Sequence, residues 1–163
     1  MLNKNNISVG ITPTGWTNDD YPSLGDHISF GQCVSEMAMA GFEGCSIGHK
    51  FPKDLDILKS ELDRRGLRVS EPWASTYFTV NNMHERTIED FKKTMAKIKY
   101  MGADVMVVAE LGHAVHQQPV PPIANKPMFS EEQWKVLISG LNHLGHLANE
   151  NDMTLCYHHH MGT

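Results

Sequence analysis

Hydrophobic positions along the chain follow two spacings, one typical of strands and one typical of helices. Short apolar runs at residues 7–12 and 103–110 predict strands. Elsewhere apolar residues recur at intervals of three and four positions, as Phe30, Cys33 and Met37 do, and this spacing predicts amphipathic helices. The pattern therefore predicts that strands and helices alternate along the chain.

The pattern gives five strands, with four helices between them. Capping residues and glycines mark most of the helix limits. The strands are predicted over residues 7–12, 42–48, 67–73, 103–110 and 153–158. Helix starts are predicted at Ser29, Pro52, Thr87 and Ser130, and three helix ends at Gly41, Gly66 and Gly102. Ser29 and Ser130 are each followed three residues later by a glutamine, which is the sequence of a capping box.

Strict alternation of strands and helices implies an α/β fold whose parallel strands are joined by right-handed crossovers. The chain, residues 1–163, is treated as a single domain. Two architectures fit the pattern. One is an open five-stranded sheet, and the other is the amino-terminal part of a (β/α)8 TIM barrel, which typically needs about 250 residues.

Composition and charge exclude several classes of protein. The net charge is −5 and the basic residues are scattered, which argues against a nucleic-acid partner. The longest apolar runs are too short to span a membrane, and the first ten residues carry no apolar signal segment, so a cytoplasmic location is expected. The three cysteines contain no CxxC pair and indicate a reducing compartment without a cysteine metal site.

Three consecutive histidines, His158, His159 and His160, end the last predicted strand. Alternate residues of a strand face opposite sides of the sheet. His158 and His160 are therefore expected to point inward, to the side away from the helices, and His159 outward, toward the helices. The carboxyl end of a parallel strand is where α/β proteins bind ligands. The two inward imidazoles are candidates for a shared metal ion or for hydrogen bonds to a polyol, and the alternative is two structural polar residues.

Other candidate side chains follow the remaining strands, at the ends that parallel strands bring together. Glu110 ends the fourth strand, and His49 follows the second. Trp16 and Asn18 follow the first strand, and Trp73 ends the third. Aromatic rings suit the apolar faces of sugars, although the same rings could simply fill the end of the sheet.

Several strings resemble one family: "GITPTGWTNDD" after the first strand, "LRVSEPWASTYFT" in and after the third, "VVAELGHAVH" at the fourth and "YHHHMGT" at the fifth. They are similar to the inosose dehydratases of myo-inositol catabolism, which are xylose isomerase-like TIM barrels. The resemblance runs along all 163 residues. It implies the amino-terminal half of a (β/α)8 barrel, with about five strands and four helices.

The resemblance implies a hydro-lyase that removes water from 2-keto-myo-inositol (scyllo-inosose) and yields a trihydroxycyclohexane-1,2-dione. It also implies Mn²⁺ or Co²⁺ as the metal, with glutathione as a further associated cofactor. The partner would be a small cyclic polyol ketone, with no nucleic acid and no membrane. The residues assigned to catalysis are His158, His160 and Glu110, and those assigned to substrate binding are Trp16, Asn18, His49 and Trp73.

The match to related sugar isomerases is uneven at the last motif. Those enzymes carry a Tyr-His-Asn-His segment, whose two histidines correspond to His158 and His160. His159 stands at the asparagine, and Thr163 at a glutamate that binds metal in the relatives. The metal ligands of this chain are therefore unknown, and this stretch alone is predicted to be inactive.

Two alternatives to a dehydratase stay open. One is a sugar isomerase or epimerase on the same barrel. The other is a non-catalytic half-barrel that binds polyols or associates with itself as a homo-oligomer, because five strands leave two sheet edges to pair.

Overall fold

The computed structural model of the chain describes residues 7–70, 72–159, 161 and 162. Within them the chain forms two compact units. The first contains the residues up to Pro72 together with Ile98–Ala103, and the second contains Trp73–Lys97 and the residues from Asp104 onward. Each unit holds one three-stranded parallel sheet.

The sheet of the first unit has apolar residues on one face and two glycines aligned with Arg68 on the other. Its strands, in spatial order, are β1 (Gly10–Ile11), β2 (Gly44–Cys45) and β3 (Arg68–Val69). Ile11, Cys45 and Val69 are in register, and the last two are buried in the core. On the opposite face, a Cβ added at Gly10 or Gly44 would lie within 3 Å of the Ser70 side chain. The lack of a side chain at Gly10 and Gly44 therefore leaves room for Ser70 on this face.

Helix α1 (Phe30–Met39) begins where the sequence predicts, with Ser29 as its N-cap. The Ser29 hydroxyl accepts a hydrogen bond from the Gln32 backbone N–H at 3.2 Å. The return bond of a capping box is not formed, because the Gln32 side chain donates instead to Glu36 Oε1 at 2.9 Å. The predicted capping box is thus only half present.

Helix α2 (Leu55–Asp63) begins later than predicted. Pro52 was expected in its first turn, and that expectation is wrong because Asp54 is the N-cap. The Asp54 carboxylate accepts from two backbone N–H groups of the first turn, at 3.0 and 3.1 Å, and so satisfies donors that the helix itself leaves unpaired. The predicted end is confirmed, since Gly66 has a φ of 65° and the next N–H bonds back to the Leu62 carbonyl.

The third predicted strand, residues 67–73, is two strands in the structure. Arg68–Val69 forms β3 in the first sheet, and Trp73–Thr76 forms β4 in the second. Pro72 lies between them and has no N–H to donate to a strand ladder. The prediction of one continuous strand is therefore corrected, and the break coincides with the boundary between the two units.

In the second unit, β5 (Val105–Glu110) lies between β4 and β6 (Thr154–Tyr157). Even-numbered residues of β4 and β5, such as Ala74, Met106 and Val108, are buried and form what we call the core face. The opposite face carries the alternate residues, which the register aligns as Trp73, Val107 and Cys156.

The helices of this unit are α3 (His84–Tyr100), whose last residues belong to the first unit, the short α4 (Pro122–Asn125) and α5 (Glu131–Asn149). Helix α5 packs against β6. The capping box predicted at Ser130 and Gln133 is complete. Helix α3 begins three residues before Thr87, whose hydroxyl bonds to the Met83 carbonyl at 2.7 Å. No helix in the described ranges is long and apolar enough to cross a membrane.

The cysteines differ in environment. Cys33 and Cys45 are buried, and Cys156 is exposed on β6. Burial raises the pKa of the Cys33 thiol to about 11 and that of the Cys45 thiol to about 12. Both buried thiols therefore stay protonated near neutral pH and pack as small apolar groups.

Candidate active site

The predicted site residues fall in both units. Trp16, Asn18 and His49 lie in the first unit, and Trp73, Glu110 and His158 lie in the second. His160 is outside the described residues.

Trp73 and His158 meet on the opposite face of the second sheet. Their ring centroids are 5.3 Å apart, and the planes are inclined at 70° in an edge-to-face contact. The His158 N–H donates to the Val108 carbonyl at 2.8 Å, which extends the β6 ladder past Tyr157. Trp73 keeps 37% of its surface exposed, so one indole and one imidazole are presented together to solvent.

The ring of His159 stacks beside that of His158, with centroids 6.3 Å apart and planes 25° from parallel. His159 was expected to point the other way. Strand alternation does not extend to it, because β6 ends at Tyr157. Trp73, His158 and His159 together form an exposed aromatic surface, which we call the Trp73 surface.

Glu110 is 1% exposed and lies on the core face. Two donors reach its Oε2: the Thr76 hydroxyl at 2.8 Å and the Phe78 N–H at 3.0 Å. Three reach its Oε1: the Thr79 hydroxyl at 2.7 Å, the Thr79 N–H at 3.2 Å and the Gly112 N–H at 3.3 Å. We call this arrangement the Glu110 clamp.

The clamp joins the loop after β4 to the loop after β5. The Leu111 N–H also donates to the Thr76 carbonyl at 2.8 Å, which ties the same two segments. A Cβ at Gly112 would lie 2.6 Å from Glu110 Oε1, so only glycine fits there. The structure thus places Glu110 on the face of the sheet away from Trp73 and His158, although all three residues were expected together.

In the first unit, the Trp16 indole N–H donates to Glu36 Oε2 on α1 at 2.6 Å. Gln32 and Trp16 both donate to this carboxylate, and their hydrogen bonds lower the pKa of Glu36. The polar atom of Trp16 is therefore already engaged, and what the half-buried residue can offer a ligand is the surface of its ring.

Asn18 shapes the loop in which it lies. Its Oδ1 accepts from the backbone N–H groups of Asp20 and Tyr21, both at 2.9 Å. This is an Asx turn, in which the side-chain oxygen replaces a backbone carbonyl. The substrate-binding role predicted for Asn18 would therefore use its amide nitrogen.

His49 pairs with Asp19, 30 residues away in sequence. The imidazole Nδ1 lies 2.7 Å from Asp19 Oδ1, and the His49 backbone N–H donates to the same oxygen at 3.1 Å. The side chains are 34% and 51% exposed, so the pair is accessible to a small molecule. Asp19 was expected at the same strand ends as His49, but its pairing with His49 was not predicted, because nothing local in the sequence links the two.

The described residues do not contain a metal site. Among them, no group of three or more histidine, cysteine, aspartate or glutamate side chains could hold a metal ion. His160 and Thr163 of the last motif are outside the described residues. We therefore derive no step of the chemistry through a metal.

Solved structures place the fold in a known class. A sugar phosphate isomerase/epimerase from Parabacteroides distasonis aligns with 98% of this chain, with a TM-score of 0.65 and 16% sequence identity, and the alignment covers 54% of that protein. The IOLI protein, solved with a zinc atom, aligns with 94% of this chain, with a TM-score of 0.67 and 15% sequence identity, and the alignment covers 51% of that protein. A xylose isomerase-like TIM barrel protein from Mycobacterium smegmatis, in complex with magnesium, aligns with 100% of this chain, with a TM-score of 0.66 and 14% sequence identity, and the alignment covers 60% of that protein. The chain has the fold of part of a xylose isomerase-like TIM barrel, as predicted.

Sequence similarity to curated proteins is more specific than the similarity of fold. The chain is 49% identical to the inosose dehydratase of Geobacillus thermodenitrificans (strain NG80-2), matching 100% of itself and 55% of that protein. It is 46% identical to the inosose dehydratase of Bacillus thuringiensis (strain Al Hakam), with the same coverage. The predicted resemblance to inosose dehydratase is confirmed, and the chain spans about half the length of these relatives. No protein-family model matches the chain.

Proposed function

We propose that this chain is the amino-terminal part of an inosose dehydratase, a hydro-lyase that removes water from 2-keto-myo-inositol (scyllo-inosose). The observation that carries the proposal is identity of 46–49% along the whole chain to proteins of that name. The fold alone would not decide the reaction, because isomerases and epimerases share it.

The Trp73 surface supports binding of a cyclic polyol ketone. One side of such a ring is rich in C–H groups and can lie against an indole, while the hydroxyls need donors and acceptors. The imidazole of His158 supplies a polar group that can donate or accept a hydrogen bond. Its ring centroid lies 5.3 Å from that of the Trp73 indole. His160 remains a proposed catalytic residue from the resemblance alone.

Glu110 fits a positioning role better than the catalytic role predicted for it. Five donors already bond to its two oxygens, and the residue is only 1% exposed, so the carboxylate is not presented to a bound molecule. Its contribution would be to fix the loop that follows Thr76, the last residue of the strand that carries Trp73.

The proposed metal is Mn²⁺ or Co²⁺, with glutathione as a further component, both from the resemblance. Two proteins of similar fold were solved with zinc and with magnesium, which supports a divalent ion in general. Since no group of three ligating side chains among the described residues could hold a metal ion, at least part of the ligand set would lie outside them. Treatment of the protein with a chelator, followed by return of single metals with and without glutathione, tests both components.

The reaction is tested with the complete gene product that contains this chain. Supplied with scyllo-inosose, it should raise the ultraviolet absorbance as the dione forms. Trp73→Ala should lower kcat/KM by about tenfold or more, because the ring contact is lost, an effect of roughly 1.4 kcal/mol. Trp134→Ala removes another exposed tryptophan, on α5, and should leave kcat/KM unchanged.

An isomerase or epimerase is the second candidate, favoured by the isomerase/epimerase among the structural matches. That activity would give a new sugar from a ketose with no rise in absorbance. Polyol binding without turnover, or self-association seen by ultracentrifugation without activity, would favour the non-catalytic alternative.

A further inference from the structure

The Asp19–His49 pair is partly exposed, yet two contacts hold the histidine in place. Asp19 Oδ1 holds His49 through both the ring and the backbone N–H. Two contacts to one residue fix the position of the imidazole as well as its rotation. A Cβ at Gly48 would lie 2.8 Å from Pro13 Cγ and 3.5 Å from Asp19 Oδ1, so the two loops pack closely just before His49.

Neighbouring side chains anchor these loops. Lys50 Nζ donates to the carbonyls of Gly25, Asp26 and Ile28 at 3.2, 2.5 and 3.0 Å. It also lies 3.4 Å from Asp26 Oδ1. The Lys50 charge is therefore directed to the 25–28 turn, and the charged group that contacts the His49 ring is Asp19.

An aspartate bonded to Nδ1 sets the tautomer of a neutral histidine. With Nδ1 as the donor, Nε2 carries the lone pair. No described residue bonds to His49 Nε2, and the side chain is 34% exposed, so this nitrogen can reach a bound molecule. The carboxylate would also stabilise the imidazolium once Nε2 gains a proton.

We propose that Asp19 is a positioning residue that holds His49 as an acid–base group, which extends the substrate-binding role predicted for His49. The inference rests on the proposed dehydration, since it assigns one of the proton transfers that reaction needs. His49 Nε2 takes the proton from the carbon beside the ketone. The C–H electron pair forms the enolate, and the positive charge on the imidazole lies against Asp19. In the dehydration, the enolate electron pair forms a C=C bond and the C–O bond of the next carbon breaks, and its hydroxyl leaves as water on taking the proton back from the imidazolium. Return of the proton to carbon instead restores the ketone, which gives exchange without elimination.

The tautomer is tested first, by nitrogen-15 NMR of histidine-labelled protein at neutral pH, with His49 assigned through His49→Gln. The wild type should show a protonated Nδ1 and an unprotonated Nε2. Asp19→Ala should move His49 toward the other tautomer. Asp26→Asn, which neutralises another aspartate of the same loop, should leave the signals where they are. A wild-type His49 protonated only at Nε2 would overturn the proposal.

Proton transfer is tested with the complete gene product and scyllo-inosose in deuterated water, following loss of the proton signal beside the ketone. Exchange should fall by about a hundredfold or more in His49→Gln, as expected for loss of a general base. It should fall by about tenfold in Asp19→Asn, because an amide can stabilise the wrong tautomer. Asp26→Asn should exchange at the wild-type rate.

The outcomes separate the two proposals. Exchange and elimination that persist unchanged in His49→Gln would reject the dyad and leave the dehydratase proposal standing. Absence of both exchange and elimination in the wild-type gene product, with metals supplied, would reject both.

Discussion

Glu110 is the one charged side chain that is buried in the described part of the chain. Its burial is sustained by five hydrogen bonds, three of them from backbone N–H groups. Such a group is costly to disturb, because the donors around it lose their acceptor in a place that water does not reach. At the scale of single residues, this makes Glu110 a structural requirement for the loops at the strand ends.

We expect Glu110→Gln to destabilise the protein by about 2–4 kcal/mol, since the amide nitrogen would face donors where an acceptor is needed. Urea unfolding followed by circular dichroism measures the change. Glu89→Gln, at an exposed position on α3, is the matched control and should change stability by less than about 0.5 kcal/mol. Equal effects of the two substitutions would contradict the clamp.

The bond between Trp16 and Glu36 predicts a pH response. Because hydrogen bonds from Gln32 and Trp16 lower the pKa of Glu36, the carboxylate should keep its charge to below the ordinary value of 4.5. The stabilisation is therefore present above that value and is lost as the pH falls through the lowered pKa. The Trp16 indole N–H signal in NMR should shift with a midpoint below 4.5, and Gln32→Ala should raise that midpoint. A wild-type midpoint at or above 4.5 would contradict the assignment.

At the scale of elements, α5 packs against the loop after β4 through a glycine. A Cβ at Gly140 would lie 2.5 Å from two carbons of the buried Phe78 ring. The helix can approach this ring closely only because no side chain intervenes. Gly145 in the same helix differs, since a Cβ there would meet Leu155 Cδ2 at an ordinary 3.9 Å.

We therefore expect opposite results from the same substitution in one helix. Gly140→Ala should destabilise by about 1–3 kcal/mol through overpacking against Phe78. Gly145→Ala should stabilise by roughly 0.5–1 kcal/mol, because alanine favours the helix and the added methyl fits. Thermal and urea unfolding of the two variants measure the difference, and a gain in stability for Gly140→Ala would show that the contact is loose.

Sequence reasoning succeeded for elements whose signals are local. Ser130 caps α5, and Gly66 ends α2 in a left-handed conformation, because capping depends on a few adjacent residues. It failed where two local signals compete or a contact is distant. Asp54 accepts two N–H bonds and displaces the helix start from Pro52. The break near Pro72 was missed because the predicted strand was continued through Ser70, Glu71 and Pro72 to Trp73, although these three residues interrupt the apolar pattern.

The candidate site shows the same difference between local signals, which the sequence reveals, and distant contacts, which it does not. Strand alternation predicted that His158 points to the side of the sheet away from the helices, and in the structure it lies beside Trp73 on the face opposite the core face. The same argument, applied to Glu110, would have put it on the core face with Met106 and Val108, but only its position at a strand end was considered. The pairing of Asp19 with His49 joins residues 30 positions apart, and no periodicity predicts such a contact.

At the scale of the whole molecule, the two sheets differ in how much pairing they contain. Each strand of the first sheet has two residues, whereas β5 has six and is paired on both edges. Hydrogen bonds in longer, doubly paired and buried strands open less often. The second unit should therefore hold the more persistent structure.

Hydrogen exchange tests this expectation. The amides of β5 should exchange most slowly, and those of β1 to β3 should exchange faster, because short strands open by local fluctuation. Mass spectrometry of peptides from the two sheets, after a time course in deuterated water, measures both. Equal protection of the two sheets would indicate that they open together in one cooperative step.

The contrast among the three cysteines has a practical consequence. Burial raises the pKa of the Cys33 and Cys45 thiols to about 11 and about 12, so both thiols stay protonated at pH 8 and are shielded from solvent. A thiol reagent should therefore modify about one equivalent of the native protein rapidly, at Cys156. That residue shares a strand face with His158, so a fluorophore attached there, with no cysteine to be engineered, would sense whatever occupies the Trp73 surface.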